Sequence, residues 1–527
     1  MSTAAAAAPA GHTAARGHKA LAFLILIAGW ELSARALTGA YLLAGPTEVA
    51  LYLWNNAGLM ARALMATGST ALAGFVLGNL AGIALAALVV LLPRTERLVA
   101  ALALLVFCLP LVATGPILRV VYGPGPAPQI TLAALAVYYT TFVPLVVGLR
   151  AAPAGWFDLV ASYGRGRGAA LVHVRARAAL PYLFAGLQIA APAAFLGAMV
   201  GEFTGAERGM GVLTIRAMRA LDVDATWALA TLAAAVSILA YAALGSLARQ
   251  IVDDPPPLLL APPPDPAARQ GGGALHAVGI VLAALGLWWA LPTILGLAPF
   301  FAKTPADIFA FLITDDGAAG QRATLFSALA ETAALAVPGY GAGLLLGAGL
   351  AIAVALFPAA ASIAMPVAVA ARSIPIVTTA PLLVLALGRG PVGAISLVAF
   401  MVFFPTFVAC LHGLRQAPGQ VLDVFDSFAA GRLSRLLHVR IPAMLPALFA
   451  AARMAVPAAV LAVTVVEWLA IGTGLGALMA TSASLSDYAM LWSCVVLVAV
   501  LSSLGYAAVG VAERRILSIY AAEQMAR

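Results

Sequence analysis

The sequence predicts an all-α integral membrane protein with two parallel repeats, each of about six transmembrane helices. Of its 527 residues, 63% are hydrophobic and only 9% are charged, whereas a soluble domain carries roughly 25% charged residues. Apolar runs of about 20 residues, the length of a helix that crosses the hydrocarbon core, recur along the chain. Each span must satisfy its own backbone hydrogen bonds in lipid, so these runs predict helices. In the first half they cover 20–37, 69–92, 98–121, 131–148, 181–200 and 227–247.

The second half of the chain repeats the first half at a shift of 265 residues. Matches of Pro, Thr, Asp, His, Glu or Trp in a single register carry weight in so apolar a chain. They include Pro110/Pro375, Thr114/Thr379, Asp158/Asp423, His173/His438, Glu202/Glu467 and Trp227/Trp492. We therefore predict a first repeat over 1–250 and a second repeat over 274–527. The Pro/Gly-rich stretch 251–273 between them is predicted to be a cytoplasmic linker.

The arginines predict which loops face the cytoplasm. By the positive-inside rule, the N-terminal tail with Arg16 and Lys19, the turn with Arg94 and Arg97, and the Arg-rich segment after the fourth span are assigned to the cytoplasm. An even number of spans in each copy then gives both copies the same orientation, so the repeats are predicted to be parallel. Against this rule, arginines also occur in loops assigned to the outside, at Arg62, Arg119, Arg208, Arg216 and Arg219.

The composition disfavours enzymatic, metal-binding and nucleic-acid-binding functions. The only lysines, Lys19 and Lys303, do not follow a glycine as a P-loop requires, so the chain is expected to bind no ATP and no other cofactor itself. The three cysteines lie singly in apolar runs, which gives neither a disulfide framework nor a CxxC metal site. The sequence also lacks a Ser/His/Asp or HExxH pattern and a basic patch with interleaved aromatics. We expect a non-enzymatic protein surrounded by membrane lipid.

One polar segment occurs in both copies, after the fourth span of each. "DLVASYGRGRGAALVHVRARAALP" begins at Asp158, and "DVFDSFAAGRLSRLLHVRIPAMLP" begins at Asp423. In the first copy a short apolar face is interrupted at Gly164, and a second amphipathic stretch leads to Pro181. Such a bent, basic and partly apolar element suits docking to another protein. An interfacial helix that lies on anionic lipid is the alternative.

The spacing of this segment resembles the EAA loop of binding-protein-dependent ABC importer permeases. The pattern is an acid, two small residues, a glycine six residues after the acid, then an apolar residue, Leu and Pro. Arg177 replaces the proline in the first copy, and Ala429 replaces the glycine in the second. The residues to which the resemblance assigns ATPase coupling are Asp158, Gly164, Arg167, His173 and Val174 in the first copy and Asp423, Ala429, Arg432, His438, Val439 and Pro442 in the second.

The resemblance extends over nearly the whole chain. The runs "GPTEV", "AGFVLGNLAG", "YGPGP" and "GEFTGAERGMG" look most like the sulfonate, taurine and nitrate branch. The resemblance implies a type I ABC importer permease-like fold, with both permease halves fused in one chain, in the bacterial cytoplasmic membrane. It implies two partners, a cytoplasmic ATP-binding-cassette ATPase dimer that binds the ATP and a periplasmic or lipid-anchored substrate-binding protein. The implied substrate is a small organic or inorganic oxyanion.

Polar and helix-breaking residues within the spans indicate where a translocation path could run. Glu202 and Glu467 end the fifth span of each copy and are predicted to flank the outer mouth of the path; the alternative is an acid that caps the following loop. The third span is predicted to break at its prolines and so to free carbonyls that can line a cavity. The residues concerned are Pro110, Thr114 and Pro116, with Pro375, Thr379 and Pro381 in the second copy.

Two further features of the spans have structural interpretations. Gly74, Gly78 and Gly82 are four residues apart and predict close packing of helices. Arg372 and Arg453 occur in or near spans of the second copy only, and each either attracts an anion or extends its charge to the membrane surface.

Two other classes of transporter are alternatives. A secondary transporter of the major-facilitator type also has two parallel six-span halves and would need no ATPase. The turn "PRTERL" lacks the glycine-framed pattern expected there. The other alternative is a fused iron- or thiamine-type ABC permease, from which the first-span region "GWELSARALTGAYLLAGPTEV" differs.

Overall fold

The computed structural model of the chain describes residues 24–25, 27–37, 43–252, 273–357, 387–388 and 390–520. These residues are mainly helical, and no strand occurs among them. After a helix over 27–36, the first repeat contains α1 (Pro46–Asn55), α2 (Ala57–Leu91), α3 (Glu96–Phe107), α4 (Leu111–Tyr122), α5 (Ala127–Arg150), α6 (Ala154–Ser162), α7 (Ala176–Phe203), α8 (Met210–Ala220) and α9 (Val223–Ile251). The second repeat contains α10 (Gly273–Ile294), α11 (Pro305–Phe309), α12 (Ala318–Leu356), α13 (Pro391–Arg415), α14 (Gly419–Ser427), α15 (Ile441–Val466), α16 (Gly474–Ser484) and α17 (Tyr488–Tyr520).

Eight helices among the described residues are long and apolar enough to cross a membrane. A ninth span results if the bent pair at α3 and α4, whose axes meet at 93°, is counted as one. The prediction of an all-α, multi-pass membrane protein is confirmed. Most of the predicted linker and the predicted third span of the second repeat, with Arg372, Pro375, Thr379 and Pro381, lie outside the described residues.

The third span of the first repeat breaks at one proline rather than at two. α3 ends at Phe107, and Pro110 takes an extended conformation immediately before α4. Pro116 lies inside α4, and the helix continues through it, so the predicted break there is wrong. A proline within a helix removes one N–H donor, and α4 accommodates that loss without ending. The Thr114 hydroxyl donates to the Pro110 carbonyl at 3.0 Å, so this carbonyl at the break has a partner.

Glycines bring the second and fourth spans of each repeat into close contact. A Cβ atom at Gly78 would lie 2.5 Å from a backbone oxygen of α5, and one at Gly82 would lie 2.6 Å from the Tyr138 carbonyl oxygen. In the second repeat, a Cβ at Gly347 would lie 2.7 Å from the Phe403 carbonyl oxygen. Only a residue without a side chain allows the two backbones to approach this closely. The close packing predicted from the glycine spacing is confirmed.

The two repeats share a hydrophobic core at one end of the molecule. The last turns of α7, around Phe195 and Phe203, pack in one cluster with the last turns of α15, around Ala459 and Val466. The start of α2, at Met60, lies in the same cluster. Because α7 and α15 both end in this core, the polar segments that precede these two helices both lie at the opposite end of the molecule.

Candidate coupling elements and buried polar sites

The polar segment of the first repeat folds into a helix, a left-handed turn and further helical turns. We call residues 154–175, to which the resemblance assigns ATPase coupling, the first coupling element. After α6, Gly164 adopts a φ of +67°. The N–H of Gly164 donates to the Ala161 carbonyl at 2.9 Å, and the N–H of Arg165 donates to the Val160 carbonyl at 3.2 Å. This pair of hydrogen bonds is the Schellman arrangement that ends a helix.

The second repeat keeps the same turn although an alanine replaces the glycine. We call residues 419–440 the second coupling element. Ala429 adopts a φ of +51°, and its N–H donates to the Asp426 carbonyl at 3.0 Å. The N–H of Ala430 donates to the Phe425 carbonyl at 2.9 Å, which completes the same arrangement. A left-handed conformation costs a non-glycine residue about 1–2 kcal/mol. The substitution therefore changes the free energy of the turn and leaves its geometry intact.

Contacts with the ends of the spans hold the first coupling element in place. Val174 is buried, and so is the equivalent Val439. Arg175 donates to the Leu149 carbonyl at 3.0 Å, and its guanidinium lies 4.5 Å from the centre of the Phe157 ring. These contacts join both parts of the element to the end of α5.

The second coupling element has its own internal contacts. Arg435, after the turn, forms an ion pair with Asp426 on α14. The His438 ring stacks on Phe425, with 6.4 Å between the ring centres, and its Nδ1 lies 2.9 Å from the Ser434 carbonyl oxygen. This predicted coupling histidine thus helps to join the two helical parts of its own element.

Most of the other predicted coupling residues lie on the surface. The exposed positions are Asp158, Gly164 and His173 in the first element and Asp423, Ala429, Arg432 and His438 in the second, while Pro442 is half-buried. Arg167 begins the helical turn that follows the bend. Aromatic side chains are exposed beside them: Trp156 is 52% exposed, Tyr163 is 77% exposed and Phe428 is 82% exposed. Aromatic residues and arginine are enriched at protein interfaces relative to the rest of the surface.

Glu202 is buried at the end of α7 and connects three helices of the first repeat. The residue is only 3% exposed. The Thr67 hydroxyl on α2 donates to Glu202 Oε1 at 2.6 Å, and the Gly211 N–H in the first turn of α8 donates to Oε2 at 2.6 Å. The Thr67 oxygen in turn accepts the Met210 N–H at 2.8 Å. The carboxyl and the hydroxyl therefore take up N–H groups that have no partner within α8.

Glu467 makes the equivalent connection in the second repeat. It is fully buried. The Thr332 hydroxyl on α12 donates to Glu467 Oε2 at 3.0 Å, and the Gly476 N–H in α16 donates to the same oxygen at 2.8 Å. Glu331 adds an interaction that has no counterpart in the first repeat, because its carboxylate accepts the Gly474 N–H at 2.7 Å.

These contacts show what sequence reasoning missed at the predicted path residues. The hydrogen bonds of both glutamates go to neighbouring helices, and their place at the mouth of a path stays a prediction. Thr67 and Thr332 match in the repeat register, but their bonds to the glutamates were not anticipated. The signal was available, since each threonine precedes its glutamate by 135 residues.

The second repeat also contains an ion pair within its membrane spans. Arg453 Nε lies 3.3 Å from Glu513 Oε2, and the guanidinium lies 5.7 Å from the centre of the Tyr506 ring. In the first repeat, the equivalent positions of the pair are Gln188 and Ala248. Arg453 thus has an anionic partner within the chain, which neither sequence-based alternative for this residue included.

Two membrane-spanning helical repeats, each with a bent polar element at the same end of the molecule, define a two-repeat helical membrane protein. Residues 78–254 and 343–518 both match the family described as the binding-protein-dependent transport system inner membrane component. The chain belongs to this family and is a tandem ABC transporter permease. The two matches begin 265 residues apart, which confirms the register of the repeat. This membership decides against the major-facilitator alternative.

Several relatives match over less than half of this chain. The formylaminopyrimidine transport permease of Halalkalibacterium halodurans is 28% identical over 228 residues, which are 43% of this chain and 91% of the relative. The riboflavin transport system permease of Chloroflexus aurantiacus is 30% identical over 234 residues, 44% of this chain and 87% of the relative. A putative aliphatic sulfonates transport permease of Bacillus subtilis is 25% identical over 146 residues, 28% of this chain and 53% of the relative.

Proposed function

We propose that this chain forms the translocation path of an ATP-driven importer and that its two coupling elements bind a separate ATPase dimer. The first element, around Asp158, contacts one ATPase subunit, and the second, around Asp423, contacts the other. The ATPase binds and hydrolyses the ATP, and an extracytoplasmic binding protein delivers the substrate. The description of the family, which depends on binding proteins for transport, supports the second of these partners.

The observation that carries this proposal is the pair of equivalent elements at one end of the molecule. Tyr163 and Phe428 occupy equivalent positions immediately before the two left-handed turns, and both are largely exposed. Aromatic side chains are the residues that most often dominate the affinity of protein interfaces. Each element continues into α7 or α15, and both helices end in the core that the repeats share. Movement of an element is thereby linked to the helices of the path.

Contact with anionic lipid is the other interpretation of the same elements. Asp158 and Asp423 are exposed at equivalent positions. An anionic membrane surface attracts basic groups and repels carboxylates. The paired aspartates favour a protein partner, whereas the arginines of the same elements suit either ligand.

We place the coupling elements, the N-terminus and the linker on the cytoplasmic side. The ion pair between Arg150 and Glu96, with 2.6 Å between its atoms, brings the turn after α2 next to the first coupling element. Arg94 lies just before α3, and Arg97 lies in its first turn. The concentration of arginine at this end supports a cytoplasmic position by the positive-inside rule.

For the substrate, we propose a small organic or inorganic oxyanion, such as a sulfonate. The sulfonate relative supports this class. A nitrogen heterocycle is the second candidate, because the relatives named for formylaminopyrimidine and riboflavin match over far more of their length. Native mass spectrometry of the binding protein that co-purifies with the chain tests the two classes, since the mass of the retained ligand separates a small oxyanion from a heterocycle.

The test of coupling is an affinity purification of the full chain from gently solubilised native membranes, with co-purifying ATPase quantified by mass spectrometry. We expect the intact chain to retain an ATPase and the double variant Asp158→Lys/Asp423→Lys to lose most of it. Asp315→Lys/Asp316→Lys is the matched control, because these aspartates are exposed near the start of α12, at the other end of the molecule. Equal retention by the two double variants would contradict the proposal.

A second double variant separates the contribution of the exposed aromatic side chains from that of charge. Tyr163→Ser and Phe428→Ser together remove the exposed aromatics and keep every charge. We expect this variant to bind less ATPase and to retain its binding to anionic vesicles. Weaker binding to vesicles with unchanged ATPase retention would identify lipid as the ligand of the elements.

A further inference from the structure

We propose that the outer end of the first repeat carries a docking cleft for an acidic surface of the substrate-binding protein, and that this protein therefore docks in one orientation. The inference rests on the proposed function, which places this end outside the cytoplasm. A cleft of about 440 Å³ lies between the start of α2 and the start of α8. Arg62, Arg208 and Arg216 line it, together with Glu207 and several apolar side chains.

The cleft lies at the end of the molecule away from the coupling elements. Arg62 belongs to the second turn of α2, and the other end of this helix is at Leu91. The distance along the helix axis between these residues is about 44 Å at 1.5 Å per residue. A hydrocarbon core of roughly 30 Å fits within that length. The turn after Leu91 carries Glu96, whose ion pair with Arg150 marks the end at which the first coupling element begins.

The arginines of the cleft are available to a partner. All three are exposed. Among the described residues, the ion pairs and side-chain hydrogen bonds involve other arginines. Neighbouring charges of like sign repel each other, and an acidic surface relieves this repulsion. The positive-inside rule disfavours arginine in outer loops, so membrane topology does not explain the cluster.

The loop that carries Arg208 is held in place from two sides. Arg119 on α4 donates to the Gly205 carbonyl. On the other side, the buried Glu202 accepts the Gly211 N–H immediately after the loop. A charged group on a fixed loop loses little conformational freedom on binding, which favours docking.

The same end of the second repeat has no arginine at the equivalent positions. The positions equivalent to the three arginines are Ser327, Thr473 and Thr481, and all three are exposed. That end exposes Asp315 and Asp316 instead. A partner with an acidic surface is therefore attracted more strongly by the first repeat than by the second. The pseudo-equivalent repeats therefore present the binding protein with one favourable orientation.

Carbodiimide cross-linking tests the contact directly, because it joins a lysine amine to a carboxylate without a spacer. Arg208→Lys keeps the positive charge and supplies the amine, and Thr473→Lys places the same amine at the equivalent position of the second repeat. The full chain is treated in native membranes with the cell's own extracytoplasmic proteins, and adducts are identified by peptide mass spectrometry. We expect the lysine at 208 to join an Asp or Glu of one extracytoplasmic protein at a yield at least several-fold above that at 473. Equal yields, including none at either position, would overturn the proposal.

Charge reversal provides the second measurement. The quantity measured is the amount of the extracytoplasmic protein, identified by the cross-linking, that co-purifies with the chain. We expect Arg62→Glu/Arg208→Glu/Arg216→Glu to reduce this amount about tenfold or more, because the variant replaces attraction by repulsion across the interface. The matched triple variant Ser327→Glu/Thr473→Glu/Thr481→Glu should reduce it much less. Equal losses in the two variants would refute a preferred orientation.

ATPase retention, measured on the same preparations, separates this inference from the proposed function. Loss of the extracytoplasmic partner with ATPase still bound supports both. A chain that cross-links at 208 and binds no ATPase refutes coupling and leaves the docking cleft standing. A chain that retains ATPase and gives no preferential adduct at 208 refutes the cleft and leaves coupling standing.

Discussion

Replacement of Glu202 by alanine should destabilise the first repeat by about 2–6 kcal/mol. The carboxyl accepts two hydrogen bonds of 2.6 Å, from the Thr67 hydroxyl and the Gly211 N–H. Each donor left buried without its acceptor costs about 1–3 kcal/mol, and Glu202→Ala leaves two such donors. Glu202→Gln keeps one acceptor oxygen, so we expect a loss of about half as much.

Reversible unfolding of the full chain in mixed micelles, followed by tryptophan fluorescence, measures these losses. Glu207→Ala is the matched control, because Glu207 is exposed in the loop that follows α7. We expect a change within about 0.5 kcal/mol. Glu467→Ala should resemble Glu202→Ala, although its bonds of 2.8 and 3.0 Å place it toward the lower end of the range.

The opposite pattern would refute this reasoning. If Glu202→Ala changed the free energy of unfolding by less than about 1 kcal/mol and yet altered uptake, the carboxyl would act on the substrate rather than on the fold. Its predicted place at the mouth of the path would then be the better interpretation. Stable protein with changed selectivity in Glu202→Gln would lead to the same conclusion.

Three further predictions use the same unfolding measurement. Ala429→Gly should raise the free energy of unfolding by up to about 1 kcal/mol, because glycine adopts the left-handed conformation without strain. A decrease would show that contacts of the alanine side chain stabilise the fold by more than the backbone strain destabilises it. Gly82→Ala should cost about 1–3 kcal/mol, since its Cβ would lie 2.6 Å from a backbone oxygen, whereas Gly68→Ala, with no atom within 4 Å, should be tolerated. Arg453→Gln should cost about 3–5 kcal/mol, because it leaves Glu513 without its partner. The additional change Glu513→Ala should recover most of that loss. A double variant as unstable as the single variant would refute the pairing.

The sequence predicts the features of this fold that depend on one helix or one repeat. Hydropathy identifies the spans, but α2 begins at Ala57, 12 residues before the predicted start at 69, because the helix extends beyond the apolar run. The glycine spacing predicts the contact between the second and fourth spans, since only close backbones require three glycines in one row. The break at Pro110 follows from local chemistry, whereas the continuation through Pro116 depends on how α4 packs.

Features that join distant helices are harder to predict. The ion pair between Arg453 and Glu513 connects two helices through residues 60 positions apart, and no equivalent pair in the first repeat indicates it. The bonds of Thr67 to Glu202 and of Thr332 to Glu467 span 135 residues, but they recur in both repeats. Recurrence of a polar pair at one separation in two copies is therefore a usable signal for contact, and a pair present in one copy gives no such signal.

The differences between the repeats follow from their fusion in one chain. In a symmetric dimer, a substitution appears on both subunits, so a charge placed at an interface always appears twice. Here the buried Glu–Thr–amide connections and the interhelical glycines occur in both repeats, because each repeat needs them to fold. The ion pair of Arg453 and the arginine cleft occur in one repeat each. Under the function and the docking cleft that we propose, a fused chain favours one orientation of an asymmetric partner on its outer side and keeps two equivalent elements for an ATPase dimer on the other.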